Sequence, residues 1–224
     1  MIVDDNSTDF SRAEQLRHKL LGNPTPLLVD DPGVGSVLKR SERKVSDIAR
    51  TSLSPVKYSR LYARLARHFF CRNIIELGTS LGINALYLAS DSRVHVTTFE
   101  GSSAIAAVAK STFEFASAAN ISLVEGNIDS TLPGWLDAHQ EIDLAFIDAN
   151  HRYEPTMRYF HSIQRKTHFK SVVIMDDIHY TPEMEKAWTE IKNDALVYGT
   201  VDLYRSGLVF FDPSLNKQHV VLQY

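Results

Sequence analysis

Ile74-Ile75-Glu76-Leu77-Gly78-Thr79-Ser80-Leu81-Gly82 is an apolar run that ends in a glycine turn and leads into a helix predicted over Asn84 to Ala89. Gly78 lets the backbone turn at little steric cost, and Gly82 lets the next helix approach a ligand with its free N–H groups forward. A dinucleotide fingerprint sets Gly-x-Gly-x-x-Gly around a pyrophosphate. Here Thr79 and Ser80 fill the middle and Glu76 precedes the first glycine. A carboxylate there repels a pyrophosphate but accepts from an ammonium or a water, so the turn suits a cofactor with an amino-acid end better than NAD. Glu100 follows the next apolar run, Val94 to Phe99, where an acidic side chain can accept both hydroxyls of a ribose. A tight turn with no ligand is the competing reading of the glycines taken alone.

Outward from this stretch, apolar runs recur at Ile121 to Val124, Ile142 to Ile147 and Val172 to Met175. Each is nearly continuous, which is the pattern of a strand buried on both faces. Helices are predicted between them over Ser103 to Ala118, behind a serine cap, over Tyr153 to His168, and over Pro182 to Tyr198, with Pro182 in the first turn. Alternating strands and helices imply a doubly wound, mainly parallel α/β sheet. Three short β-prone runs follow, Val201 to Tyr204, Leu208 to Phe211 and Val220 to Leu222, with connections too short for helices, so they are expected as antiparallel neighbours. The fold class is therefore α/β, a Rossmann-like sheet of seven strands with an antiparallel C-terminal edge. Residues 1–56 are read as a helical N-terminal extension, a lid or a dimerisation arm, with breakers at Asn23-Pro24-Thr25-Pro26 and Pro32-Gly33-Val34-Gly35. Lys39, Arg40, Arg43 and Lys44 are read as a solvated helix face.

The chain has 224 residues, with 24 basic and 27 acidic side chains and a formal charge of −3. No field attracts nucleic acid or anionic lipid, so neither is an expected partner. A single cysteine forms no intrachain disulfide, no run is long enough to span a bilayer, and Met1-Ile2-Val3-Asp4-Asp5 is acidic where a signal peptide is basic. A cytoplasmic protein is expected.

Two more segments carry chemistry. The fourth predicted strand ends Phe146-Ile147-Asp148-Ala149-Asn150-His151-Arg152-Tyr153-Glu154, and the fifth ends Ile174-Met175-Asp176-Asp177-Ile178-His179-Tyr180. Carboxyl ends of parallel strands face the ligand crevice, so three carboxylates are expected to meet there and to need protons or a hard cation such as Mg²⁺. N-capping of the following helices is the alternative for the aspartates. His151, and after it His179, are the candidate general bases, because their ordinary pKa suits proton abstraction near neutrality; capping or support is the alternative for each.

With these residues in view, the chain from about Tyr58 to Phe211 resembles the class I S-adenosylmethionine-dependent methyltransferases. The resemblance implies that residues 57–224 form the S-adenosylmethionine-binding domain. It implies that Glu76, Gly78, Thr79, Ser80 and Gly82 hold the methionine part, that Glu100 and Gly101 hold the ribose, and that Asn127 and Ile128 flank the adenine. Asp148 counts among the cofactor residues as well. The Ile-Asp-x-x-His-x-Tyr-Glu segment and the Asp-Asp pair are similar to the metal-dependent catechol-type and natural-product sugar O-methyltransferases, which implies a divalent cation on Asp148, Asp176 and Asp177. Asn150 stands where some sugar enzymes place an aspartate base, and an amide cannot take a proton. The activity implied is O-methyl transfer to a small molecule, with a metal-independent enzyme using His151 or His179, or a non-catalytic cofactor-binding module, as the alternatives. A homodimer stays open.

Overall fold

The computed structural model describes residues 9–31, 39–139 and 141–224. Residues 1–8 and the Pro32 to Gly35 breakers lie outside them. The chain divides into two compact units, one drawn from residues up to Arg72 together with Gly78–Leu132, the other from Asn73–Leu77 together with Pro133–Tyr224.

The first unit opens with helix α1 (Ser11–Leu21), strands β1 (Pro26–Asp31) and β2 (Lys39–Lys44), and helices α2 (Val45–Ser52) and α3 (Val56–His68). The extension is therefore not purely helical. β1 and β2 pair antiparallel from Pro26↔Lys44 to Asp31↔Lys39, so the basic run expected as a helix face is an extended strand. Its sequence, KRSERK, has no apolar alternation to announce a strand; pairing with β1 decides its conformation. After the glycine turn come α4 (Ile83–Leu88), β4 (His95–Glu100), α5 (Ser103–Ala116) and β5 (Ile121–Glu125), with β4 and β5 parallel. Helix α6 (Ile128–Ala138), whose first five residues belong to this unit and the rest to the second, follows where no helix is predicted from the sequence; it contains Pro133. Asn127 begins it, its Oδ1 accepting from the Asp129 amide at 2.8 Å.

The second unit holds β3 (Asn73–Leu77), β6 (Ile142–Ile147), α7 (Tyr153–Gln164), β7 (Thr167–Met175), α8 (Pro182–Asn193), β8 (Gly199–Asp202), β9 (Gly207–Phe210) and β10 (Gln218–Val221). Its strand order is β10-β8-β9-β7-β6-β3. β3, β6 and β7 are parallel, and β9 lies antiparallel between β7 and β8. Leu144 to Ile147 and Val172 to Met175 are all buried, which their unbroken apolar sequence requires. Helix α8 is fixed at its start by Thr181, whose Oγ1 accepts from the Met184 amide, and by Pro182; it buries Met184, Ala187, Trp188 and Ile191 along one stripe.

The architecture is α/β, mostly parallel with flanking helices and an antiparallel edge; among the described residues there are eight strands besides the β1–β2 pair, where seven are expected. The last strand also departs from expectation. β10 runs parallel to β8, because a 3-10 turn at Pro213–Leu215, capped by Asp212, carries the chain across before it pairs. Among the described residues no helix is long and apolar enough to cross a membrane.

Candidate functional site

In the first unit the glycine turn is held by its own amides. Gly78 N and Thr79 N both donate to the Phe99 carbonyl at 3.0 Å, and the Thr79 and Thr98 hydroxyls share a hydrogen bond of 2.6 Å. Gly78 and Gly82 have φ of +98° and +84°, and Ser80 joins them in the left-handed region at +48°. At Gly82 the glycine is also required by packing, since a Cβ would stand 2.6 Å from Cε1 of Phe113 on α5. Glu100 faces this turn within the unit. Its Oε2 accepts from the Ser80 amide and its Oε1 from the Ser102 amide, each at 2.9 Å. Burial lifts the Glu100 carboxyl above its usual range, offset in part by the amides of Ser102, Ser80 and Gly101. A carboxylate with one amide on each oxygen keeps further lone pairs for hydroxyl donors. Gly101 is exposed and a Cβ there would meet nothing, so its backbone is open to a ligand. Asn127 is exposed with its Oδ1 occupied as a helix cap, and Ile128 is buried. Ser52, at the end of α2, was not singled out from the sequence; its hydroxyl lies 2.7 Å from that of Ser80.

In the second unit Glu76 is fully buried on β3. Asp148 follows β6, its amide donating to the Leu77 carbonyl, and Asp176 follows β7, its amide donating to the Ile147 carbonyl. The parallel pairing therefore staggers the carboxylates of adjacent strand ends together. Asn150, His151 and Asp177 all adopt positive φ, at +65°, +41° and +53°. Such backbone costs of order 1–3 kcal/mol per residue, and here it is concentrated in the two loops that bear the charges. Nε2 of His151 lies 3.1 Å from Asp148 Oδ1 and 3.5 Å from Asp177 Oδ2. That nitrogen is buried, yet neither carboxylate lies in line for a hydrogen bond. One donor atom each from Asp148, His151 and Asp177 falls within 4.8 Å of the others.

Asp176 is placed differently. It has no exposed surface, and Arg205 Nη2 donates to its Oδ2 at 2.8 Å while lying 3.7 Å from Asp177 Oδ1. Burial, with the like charges of Asp148 and Asp177, pushes the Asp176 carboxyl up to about 7; one guanidinium does not outweigh them. Arg205 sits in the β8–β9 turn, 29 residues from its partner, and no local pattern links the two. Burial pulls the His151 imidazole down, but Asp148 beside it, then Asp177 and Asp176, lift it above the ordinary histidine value. His179 faces elsewhere. Its Nε2 is 2.9 Å from Asp202 Oδ2, the oxygen that also accepts from Trp188 Nε1 at 3.0 Å.

The donor set fits a divalent cation at Asp148, His151 and Asp177: two carboxylates offer charge, and a buried imidazole nitrogen stands beside both without an aligned partner.

Residues 75–178 match the family model described as a methyltransferase domain. No curated protein matches the sequence. Among solved structures, the chain is similar to an O-methyltransferase from Bacillus cereus in complex with SAH, at 17% identity and a TM-score of 0.68 over 92% of this chain and 94% of that one. It is similar to the O-methyltransferase TomG from Streptomyces achromogenes, involved in tomaymycin synthesis and bound to SAM, at 19% identity and a TM-score of 0.61 over 95% and 92% of the two chains. The SAH-bound methyltransferase PaMTH1 of Podospora anserina gives 16% identity and a TM-score of 0.64 over 95% and 99%. The chain thus resembles the class I S-adenosylmethionine-dependent methyltransferases, in fold and in the domain it carries.

Proposed function

We propose that this chain is an S-adenosylmethionine-dependent O-methyltransferase that methylates a hydroxyl of a small molecule, assisted by a divalent cation. The observation that carries the reading is that the matched domain, 75–178, contains both the glycine turn with Glu100 and the loops bearing Asp148, His151 and Asp177. Bound S-adenosylmethionine would supply an electrophilic methyl group; binding and orientation come from the chain. The turn from Gly78 to Gly82 offers the backbone to the amino-acid end of the donor, with Glu76 as the acceptor for its ammonium. Glu100 keeps acceptor capacity for the ribose, and Gly101, Asn127 and Ile128 line the base. Asp148 and Asp177, with His151 beside them, would hold the cation, whose bound form would supply Lewis acidity toward an acceptor hydroxyl. Asp176, paired with Arg205, supports the Asp177 loop from the interior. We assign residues 57–224 to the cofactor domain and residues 1–56 to an extension that braces the turn through Ser52.

A second reading, methyl transfer without metal, is favoured by the raised basicity of His151, which suits it to take the proton of the acceptor. His179, already committed to Asp202, is less suited.

The test is formation of S-adenosylhomocysteine from S-adenosylmethionine over a panel of catechols, phenols and sugar hydroxyls, with and without chelator. Turnover that chelator abolishes supports the metal-assisted reading, and turnover that survives excess chelator supports His151 acting alone. Donor binding with no product over the whole panel would instead indicate a non-catalytic binding module.

A further inference from the structure

Helix α1 is tied to three elements of its own unit, and each of them bears on the 80–82 turn. Glu14 Oε1 accepts from the hydroxyl of Tyr87 on α4, the helix capped by Gly82, and from Arg17 Nε at 2.9 Å. Arg17 Nη1 donates to the Ser54 carbonyl at 2.9 Å, two residues beyond the Ser52 hydroxyl that meets Ser80. Arg12 Nη2 donates to the Phe115 carbonyl in the last turn of α5, two residues beyond the Phe113 ring that leaves no room for a Cβ at Gly82. Tyr87 is fully buried, Arg17 is 7% exposed, and the Phe10 ring stacks on that of Tyr87 with 4.4 Å between centroids. Burial, then the bond to Glu14, pushes the Tyr87 phenol up to about 12, so it remains a donor at neutral pH.

We propose that Glu14 is a positioning residue: through Tyr87 and Arg17 it fixes the 80–82 turn, and with it the affinity for the donor. A helix of six residues, Ile83–Leu88, does not hold its direction by its own hydrogen bonds, so its packing partners set it. A buried hydroxyl and a buried guanidinium meet on one carboxylate, and removing that carboxylate leaves the Tyr87 hydroxyl and Arg17 Nε without an acceptor. The relief open to them is a shift of α4 and of segment 52–54, which carries Gly82 and Ser80 away from the geometry that Glu100 holds through the Ser80 amide. The extension thus holds both ends of the turn, Ser80 from segment 52–54 and Gly82 from α4. The inference rests on the functional reading above only in naming a donor as what the turn binds.

The experiment pairs calorimetric titration of the full chain with S-adenosylhomocysteine and hydrogen exchange of the same chain without it. Glu14→Ala should weaken S-adenosylhomocysteine binding by about five- to thirtyfold, and Glu14→Gln, which keeps an acceptor oxygen, should stay within about threefold of the wild type. Tyr87→Phe should weaken it by about three- to tenfold, and Glu14→Ala combined with Tyr87→Phe should lose no more than Glu14→Ala alone, because the hydroxyl acts through the carboxylate. If the alanine form does not fold, Tyr87→Phe, which deletes one hydroxyl and keeps the ring, carries both readouts. Without S-adenosylhomocysteine, the amides of Ser80, Gly82 and Leu86 should exchange at least about tenfold faster in Glu14→Ala, while those of Leu144 to Ile147 stay unchanged. Additive losses in the double variant, unchanged affinity in both single variants, or equal acceleration of every amide would overturn the assignment. The two readouts fail separately: wild-type binding with no loss in the variants sinks the positioning role alone, and turn amides that quicken in a chain that binds no S-adenosylhomocysteine sink the methyltransferase reading alone.

Discussion

Glu100 and the pair Asp176-Asp177 both stand at or just beyond the carboxyl ends of buried parallel strands, yet their charges are handled in opposite ways. Glu100 receives one backbone amide on each oxygen, both at 2.9 Å, from residues of its own turn and its neighbour. Its compensation is part of the backbone and is present with or without a ligand. After β6 and β7, three carboxylates stand near the Arg205 guanidinium and the His151 imidazole, and burial together with the like charges pushes the Asp176 carboxyl up to about 7. One region is finished by backbone amides, whereas the charge of the other depends on which of its side chains carry protons.

The sharpest way to break this comparison is at Asp148. Asp148→Ala should reduce turnover by about a thousandfold or more while S-adenosylhomocysteine affinity, read by calorimetry, stays within about threefold; a variant that turns over normally would show that this cluster has no part in the chemistry.

Gly82→Ala tests the rigid side. The added Cβ meets the Phe113 ring at 2.6 Å on a backbone with φ of +84°. A cost of about 1–3 kcal/mol is expected, equivalent to about 2–4 °C in Tm per kcal/mol for a chain of this size. An unchanged Tm would mean that α5 yields easily and the turn is not preorganised.

The smallest effect is in pH. The folded protein keeps a proton on Asp176 up to about pH 7, whereas the unfolded chain releases it near 3.8, so stability falls as pH rises between these values. The raised His151 contributes stability that is complete below its ordinary pKa of 6.5 and fades as pH climbs through its folded value. Both signs agree. Thermal melts of the metal-free protein should decline from about pH 4 through 8, and Asp176→Asn should flatten the lower part of that slope. A Tm that rises over this range would contradict the charge assignment.

The strand and helix order was legible because both-face burial leaves unbroken apolar runs such as Ile74 to Leu77 and Val172 to Met175, and because glycine turns have few alternatives. What escaped notice has a common cause. The β2 strand has a wholly polar sequence and exists through its pairing with β1. Helix α6 hides behind Pro133. Arg205 and Ser52 act through contacts 29 and 28 residues away in sequence, beyond any local spacing. The candidate aspartates were visible at their strand ends, but which of them a guanidinium would claim is set by the turn between β8 and β9.

The central claim is that a sulfonium cofactor binds at the glycine turn through Glu100, and calorimetric titration with S-adenosylmethionine tests it most directly. Saturable binding to the wild type, weakened by about ten- to a hundredfold in Glu100→Ala as a charged acceptor is lost, is the predicted result. No heat with the wild type, or equal affinity for both proteins, would contradict the account.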